Sequence, residues 1–262
     1  MLEKEDRSSL IDKRLGIMAD LAEKRRRVLR ELNKHNRDWY IRIRAEDYRA
    51  VSLNGKTPLC HFAQGGAKNI DTVKKHFMKD PSERFDKEVS RIKKPERSIQ
   101  CWIIKQALAH QLDLKRVLCL DNIIYEELLF ALDEVSLGDK DHKPIKRCDI
   151  LAVGVRKAQA FPVLIELKWD HQLTTLVRQL NQFCEEIMEH KGAFAELLKN
   201  CSGRKVDASR TEKMIIWNYK GNLKRGTKQK LREGNIKLVE YKGDPNTDIT
   251  GVTFHPFSVT KA

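Results

Sequence analysis

Residues 148–168 read CDILAVGVRKAQAFPVLIELK, and this stretch decides the fold. It contains two short, nearly continuous apolar runs, residues 148–155 and 162–168, which are separated by a polar segment at 156–159. Apolar runs of this length are typical of strands that are covered on both faces of a sheet, and a short polar segment between them is typical of a tight turn. The sequence therefore predicts a two-stranded hairpin inside an α/β sheet.

The hairpin brings three ionisable side chains together. A turn centred between Lys157 and Ala158 places Asp149 opposite Glu166, and strand alternation puts Lys168 on the same face as Glu166. Two opposed carboxylates about 5 Å apart repel each other unless a cation bridges them or one of them binds a proton, and a hard divalent ion is the usual bridge. We therefore expect Asp149 and Glu166 to hold a metal ion, with Lys168 placed to orient or deprotonate a water molecule or to balance charge on a phosphate. The alternative is a charged sheet edge with a surface salt bridge.

Helices and strands are predicted to alternate on both sides of the hairpin. Apolar residues recur every three or four positions from Ser9 onward, over 96–109 and over 173–187, and this spacing predicts amphipathic helices. Residues 128–135 fit a strand or the end of a helix equally well. The other predicted elements are turns at 51–70, a charged helix at 71–94, a strand at 214–219, a basic helix at 223–233 and a strand at 236–241.

The hairpin motifs resemble those of a known superfamily. The segment CDI at 148–150, followed after the hairpin by ELK at 166–168, resembles the signature of the PD-(D/E)xK nuclease superfamily, which has the restriction-endonuclease-like fold. The resemblance covers about residues 96–242. Glu96 is similar to the glutamate of the first core helix in many members, and the segment QLNQF at 179–183 resembles a Q-x3-Y element, with Phe in place of Tyr.

This resemblance implies a fold, a site and a reaction. The implied fold is a restriction-endonuclease-like mixed sheet flanked by helices, here with a helical N-terminal extension. The implied reaction is metal-dependent hydrolysis of phosphodiester bonds, most readily in DNA. The implied catalytic residues are Asp149, Glu166, Lys168, Glu96 and Gln179, and the implied ligands of Mg²⁺, with Mn²⁺ as a possible substitute, are the three carboxylates among them.

The charge is concentrated at the two ends of the chain. The net charge is +14, with 24 basic and 15 acidic residues in 1–95, 14 and 16 in 96–200, and 13 and 6 in 201–262. Such basic flanks around a near-neutral centre favour a polyanionic partner. Residues 220–232 contain six basic residues and no acidic residue, which indicates either a phosphate-binding segment or a solvated helix face. The candidate nucleic-acid contacts are Lys220, Lys224, Arg225, Lys228, Lys230 and Arg232.

Several classes of protein are disfavoured by the sequence. No stretch approaches the roughly 18 apolar residues that span a bilayer, and the first residues do not form a signal pattern, so we predict a cytoplasmic protein with no membrane partner. The six cysteines contain no CxxC pair, which favours buried thiols over a zinc knuckle or a disulfide framework. The eight histidines show no HxH or HxxxH spacing, which disfavours a zinc site.

Two functions fit these observations. The first is a metal-dependent nuclease, either an endonuclease or an exonuclease, which acts on DNA more readily than on RNA. The second is a non-catalytic nucleic-acid-binding or assembly module on the same fold. The predicted domain boundary lies near Pro95, between a basic, mainly helical N-terminal region at 1–95 and a nuclease-like domain at 96–262. A homodimer is compatible with the N-terminal helices.

Overall fold

The protein has a mixed α/β architecture, with a six-stranded mixed sheet flanked by helices, as the sequence predicts. The structure, a computed structural model, describes residues 4–32, 39–44, 47–52, 60–61, 70, 95–120, 124–137, 146–168, 173–218, 225–243 and 251–257. The helices are α1 (Lys4–Leu32), α2 (Pro95–Ala109), α3 (Leu114–Val117), α4 (Leu173–Glu189), α5 (Lys191–Ser202) and α6 (Arg225–Glu233). The strands are β1 (Trp39–Arg44), β2 (Asp47–Ser52), β3 (Cys60–His61), β4 (Glu127–Leu137), β5 (Lys146–Arg156), β6 (Gln159–Lys168), β7 (Glu212–Asn218), β8 (Ile236–Lys242) and β9 (Thr253–Phe257).

The central sheet follows the order β4-β5-β6-β7-β8-β9. Strands β4, β5 and β6 pair antiparallel, β6, β7 and β8 pair parallel, and β9 returns antiparallel to β8. A parallel pair needs a crossover connection, and helices α4 and α5 lie between β6 and β7 while α6 lies between β7 and β8. The carboxyl ends of β6, β7 and β8 therefore meet at one edge of the sheet, where α/β proteins commonly bind their ligands.

The β5–β6 hairpin has the predicted register. Its paired residues run from Arg156 and Gln159 at the turn to Ile150 and Ile165. The next position along both strands places Asp149 opposite Glu166. Both strands are longer than the predicted runs, because the ladder continues to the turn itself. The register prediction succeeds because the polar turn leaves few ways to align two apolar strands of this length.

The hairpin turn lies where the sequence predicts it. Arg156 pairs with Gln159, so Lys157 and Ala158 are the two turn residues. Their φ angles are 52° and 59°, the left-handed values that both central residues of a type I′ turn require. Asn and Gly are the usual residues in this conformation, so the pairing of two buried apolar strands stabilises a turn that its own residues disfavour.

Two apolar clusters cover the two faces of the sheet. Helices α1, α4 and α5 pack on one face, and α2 and α3 pack on the other. Ile165 and Leu167 belong to the cluster under α2, so strand alternation turns Glu166 and Lys168 toward the opposite face. The sequence predicts this alternation.

Helix α1 is part of the same core as the sheet. Its residues Leu15, Met18 and Ala22 are buried in the cluster that contains Leu151 and Leu164 of the central hairpin. The helix is predicted from Ser9, and it begins earlier, at Lys4. The predicted domain boundary near Pro95 coincides with the start of α2 and stays a prediction.

The remaining elements test the other sequence predictions. Residues 128–135, which the sequence left as either a strand or the end of a helix, belong to strand β4. The helices predicted at 96–109 and 173–187 are confirmed as α2 and α4. Strands β2 and β3 occupy parts of 51–70, where turns are predicted, and β1 and β9 are not predicted at all. The helix predicted at 71–94 lies outside the described residues.

Two further sequence predictions concern exposure to lipid and to solvent. Over the described residues, no helix combines the length and the hydropathy that a membrane span requires. Cys101, Cys148 and Cys201 are buried free thiols, as expected, and Cys184 is half-buried. Cys119 is exposed, which the sequence analysis does not predict.

Candidate active site

Four ionisable side chains meet at the carboxyl edge of β6. Asp149 comes from β5, Glu166 and Lys168 come from β6, and Glu96 comes from the first turn of α2. The Lys168 ammonium lies 3.7 Å from Glu96 Oε1. Helix α2 begins at Pro95, a residue favoured at the first helical position, and an acidic side chain in the first turn interacts favourably with the helix dipole. The structure thus brings together four of the five predicted catalytic residues.

Asp149 lies opposite a strained residue of β4. The pairs Asp133–Ile150 and Val135–Cys148 flank Glu134, which therefore faces Asp149 in an unchanged register, and its φ of 47° is strained for a residue in a strand. The carboxylate of Asp149 turns toward β6, where its Oδ2 accepts a hydrogen bond of 2.9 Å from the Leu167 N–H. Strain of this kind is often found at functional sites.

Asp149 and Glu166 form a carboxylate pair in which Glu166 is buried and Asp149 is half-buried. Burial raises the pKa of Glu166 well above its usual value, and the neighbouring Asp149 carboxylate raises it further. Burial also raises the pKa of Asp149, although the Leu167 N–H and the Lys168 ammonium oppose that rise. The two side chains are hydrogen-bonded to each other, so in the absence of a cation the pair favours binding a proton, and the raised pKa of Glu166 favours that residue as its site.

The donor set of this pair fits a hard divalent cation. It offers carboxylate oxygens from Asp149 and Glu166, with the Glu96 carboxylate at the same edge, and carboxylate oxygens are the ligands that Mg²⁺ and Mn²⁺ prefer. A bound cation would take over the charge that the shared proton now neutralises. These three residues are therefore the ones that would hold the metal ion.

Gln100 is a site residue that the sequence analysis missed. It is buried, and its side-chain Nε2 donates a hydrogen bond of 3.0 Å to the backbone carbonyl of Asp149. Gln100 lies four residues after Glu96, so both side chains share one face of α2. That spacing is the signal that could have identified it, because the face of the helix that presents Glu96 also presents the residue one turn later.

Cys148 is a buried neighbour of the pair. Its thiol donates a hydrogen bond of 3.0 Å to the Ile150 carbonyl, and burial, with the carboxylates of Glu166 and Asp149, raises its pKa well above the usual value. A thiol held in this protonated form is a poor metal ligand and a poor nucleophile. The chemistry of this edge therefore belongs to the carboxylates and the lysine.

The structure does not bring Gln179 to the carboxylates. Gln179 is exposed on α4, and in the described part of the chain it makes no hydrogen bond or ion pair with Asp149, Glu166 or Lys168. Phe183, four residues later, is buried in the core. The two residues of the Q-x3-Y-like segment thus have different environments, and the catalytic role of Gln179 stays a prediction.

The predicted basic helix is observed as α6. Leu231 anchors it to the core, while Lys230 and Arg232 are exposed and Lys228 is half-buried. Arg225 begins the helix. Lys220 and Lys224 lie outside the described residues. Helix α6 therefore presents part of the predicted basic set to solvent.

The carboxylate pair predicts an unusual dependence of stability on pH. The pKa of Glu166 is raised in the folded protein, so this group contributes stability that is fully present below about pH 4.5 and is lost as the pH rises through the folded-state pKa. In EDTA, we expect the melting temperature of the parent to fall relative to that of Glu166→Gln as the pH is raised from about 4.5 to 8. Thermal unfolding across this range measures the difference. A difference that does not change with pH would contradict the shared-proton arrangement.

Comparisons with models of protein families, with curated proteins and with solved structures give no match. The chemistry of the site is therefore judged from its geometry and from the sequence motifs. Its parts are two hydrogen-bonded carboxyl groups, one buried and one half-buried, a third carboxylate on the first turn of a helix, and a lysine beside them.

Proposed function

We propose that this protein is a metal-dependent nuclease. In this proposal, Asp149, Glu166 and Glu96 hold one or two Mg²⁺ ions, which Mn²⁺ can replace, and Lys168 acts on the attacking water. The observation that carries the proposal is the Asp149–Glu166 pair, in which Glu166 is buried and Asp149 is half-buried. Two carboxylates buried against each other are unfavourable without a cation, and strongly perturbed carboxylates at a ligand-binding edge of a sheet are candidates for function.

The fold supports the same proposal. An antiparallel β5–β6 hairpin that leads into two parallel strands, with α2 approaching its open end, agrees with the restriction-endonuclease-like arrangement that the sequence motifs suggest. A salt-bridged sheet edge, the alternative function of these residues, requires one carboxylate for one lysine. A second buried carboxylate has no role in such a pair.

Each side chain has a separate task in phosphodiester hydrolysis. A divalent ion, when bound, would polarise the phosphate and lower the pKa of a water molecule. Lys168 can donate a hydrogen bond to the attacking water or to a phosphate oxygen, and Glu96, 3.7 Å away, restrains its ammonium group. Gln100 fixes the backbone of Asp149, and the Leu167 N–H fixes its carboxylate. The ligands are thereby preorganised before the substrate binds.

The positive charge of the protein fits a nucleic-acid substrate. The chain carries a net charge of +14, and α6 exposes Lys230 and Arg232. Lysine and arginine side chains bind the phosphate backbone without regard to sequence, and they supply most of the affinity of non-specific binding. DNA is the proposed substrate, because the sequence motifs resemble those of DNA-cleaving enzymes.

The direct test is a cleavage assay on several substrates. The full chain is incubated with plasmid DNA, single-stranded DNA and RNA in Mg²⁺, in Mn²⁺ and in EDTA. Metal-dependent cleavage is expected, with DNA cut faster than RNA. A mobility shift without cleavage under every condition would instead support the non-catalytic nucleic-acid-binding module.

Lys168→Ala is expected to slow cleavage by roughly 10²–10⁴-fold, because it removes a group that acts on the attacking water in the transition state. Its affinity for DNA should stay within a few fold of the parent, since binding is distributed over many phosphate contacts. Single-turnover rates and fluorescence anisotropy measure the two quantities. Lys199→Ala, which removes an exposed lysine from α5, is the matched control and should leave both unchanged. Equal losses of affinity and rate in Lys168→Ala would exclude the assigned role.

A further inference from the structure

A second cluster of metal-ligating side chains lies at the junction of α4 and α5, on different residues from those of the candidate active site. Single ligand atoms of Glu186, Glu189 and His190 all lie within 4.8 Å of one another. Glu186 and His190 are buried, and Glu189 is exposed. His190 is the residue between the two helices, and its side chain makes no capping hydrogen bond to α5.

Helix α1 determines which nitrogen of His190 faces the cluster. His190 Nδ1 lies 2.9 Å from Asp12 Oδ1 on α1. A carboxylate only accepts hydrogen bonds, so Nδ1 carries the proton that is donated to Asp12, and Nε2 is the nitrogen that faces the cluster. The hydrogen bond therefore fixes both the tautomer and the orientation of the imidazole.

The other nitrogen is directed at a carboxylate without bonding to it. His190 Nε2 lies 3.9 Å from Glu186 Oε2, too far for a hydrogen bond, and it makes no hydrogen bond within the part of the chain that the structure describes. The histidine as a whole is only 3% exposed. A ring nitrogen that faces a carboxylate oxygen at this distance favours a positive charge between them, either a proton or a metal ion.

The arrangement matches a known form of metal coordination. A histidine that binds a metal ion through one nitrogen usually donates its other N–H to a carboxylate, as His190 does to Asp12. One imidazole and two glutamates supply three ligands, and a water molecule can complete a tetrahedron. An imidazole ligand favours Zn²⁺ and similar transition metals over Mg²⁺, which separates this cluster from the all-carboxylate active site.

An arginine also contacts this cluster. Arg7 on α1 contacts Oε1 of Glu186 at 3.5 Å, whereas Oε2 is the oxygen on the side of His190. Ligand atoms around Zn²⁺ lie roughly 3.4 Å apart, so atoms that are up to 4.8 Å apart must approach each other by as much as about 1.4 Å. The exposed side chain of Glu189 can make that movement.

We propose that Glu186, Glu189 and His190 form a structural site for a divalent transition metal, for which Zn²⁺ is the probe, with Asp12 as the positioning residue. A bound ion would join the α4–α5 junction to α1 through the Asp12–His190 hydrogen bond. The sequence pattern of this site is a glutamate and a histidine four residues apart, Glu186 and His190, which differs from the paired histidines that commonly indicate zinc. The site does not depend on the proposed nuclease activity.

The test measures Zn²⁺ binding in Asp149→Asn protein, in which the active-site carboxylate pair is already disrupted. The metal-free full chain is titrated with ZnCl₂ by calorimetry, and its thermal unfolding is followed with Zn²⁺ or with Mg²⁺. We expect one Zn²⁺ per chain and a melting temperature raised by roughly 5–10 °C when Zn²⁺ is a hundredfold above its Kd. Mg²⁺ at the same concentration should have no such effect.

Glu189→Gln, made in the same background, decides whether the ion binds at this junction. Glu189 is exposed, so its substitution should leave the metal-free melting temperature unchanged while weakening Zn²⁺ binding at least tenfold. Glu185→Gln is the matched control, because Glu185 is also exposed and lies one helical turn before Glu189. This variant should bind Zn²⁺ like its parent. Asp12→Asn should weaken binding by roughly 10–100-fold. No Zn²⁺ binding, or binding that is equal in the Glu189 and Glu185 variants, would overturn the proposal.

Discussion

Asp149→Asn is expected to abolish cleavage in Mg²⁺ and in Mn²⁺ while melting in EDTA at or above the temperature of the parent. Function and stability should move in opposite directions because the aspartate is both a metal ligand and one of two carboxylates that, without a metal, must either repel each other or bind a proton. The asparagine keeps an oxygen that can accept the hydrogen bond from the Leu167 N–H, so the local backbone should be preserved. The parent should be stabilised by added Mg²⁺, and the variant should lose this stabilisation.

Cleavage assays and thermal unfolding in EDTA and in Mg²⁺ measure both effects. Glu196→Gln removes an exposed carboxylate on α5 and is the control for a change in charge alone. If Asp149 served only as the salt-bridge partner of Lys168, its substitution would lower the melting temperature in EDTA and leave cleavage unaffected. That combination would remove Asp149 from the nuclease site.

Arg42→Ala should lower the free energy of unfolding by about 3–5 kcal/mol. Arg42 on β1 is completely buried, and its Nε donates a hydrogen bond of 2.8 Å to Asp133 Oδ2 on β4. A second nitrogen of the guanidinium contacts the same carboxylate, and Nη1 lies 3.4 Å from Glu134. Removing the arginine leaves the charge of Asp133 buried without its partner, which is the costly case for a buried ion pair.

Urea unfolding of the full chain measures this loss. Arg27→Ala is the matched control, because Arg27 forms an exposed pair with Glu23 one helical turn earlier, and its removal should cost no more than about 0.5 kcal/mol. The double variant Arg42→Met with Asp133→Leu should recover much of the stability, since it removes both charges together. A loss below about 1 kcal/mol for Arg42→Ala would mean that solvent reaches this pair.

The Arg42–Asp133 pair also lies next to the candidate active site, because Asp133 pairs with Ile150, the residue that follows Asp149. Asp133 precedes Glu134, the strained residue of β4 that lies opposite Asp149. Arg42 contacts both acidic residues, so it restrains this part of β4 from the side of β1. We therefore expect Arg42→Ala to reduce cleavage as well, although less than the direct substitution of Asp149.

The sequence by itself determined the central hairpin and the group of residues at its open end. Asp149 and Glu166 are close in sequence, and only one polar segment is available to form the turn, so few alignments of the two apolar strands are possible. The register was therefore specified locally, and with it the face shared by Glu166 and Lys168. Glu96 was identified from the sequence because it resembles the glutamate of the first core helix in the PD-(D/E)xK superfamily.

The tertiary structure alone decided which distant side chains meet. The His190–Asp12 contact joins residues 178 positions apart, Arg42 and Asp133 are 91 apart, and the Gln100 hydrogen bond to Asp149 spans 49. Periodicity identifies the buried face of a helix or strand but not the element that it packs against, because many pairings bury a similar apolar area. Specific polar contacts arise only after one packing is selected, and so the Gln100 contact with Asp149 and the cluster around His190 could be read only from the folded chain.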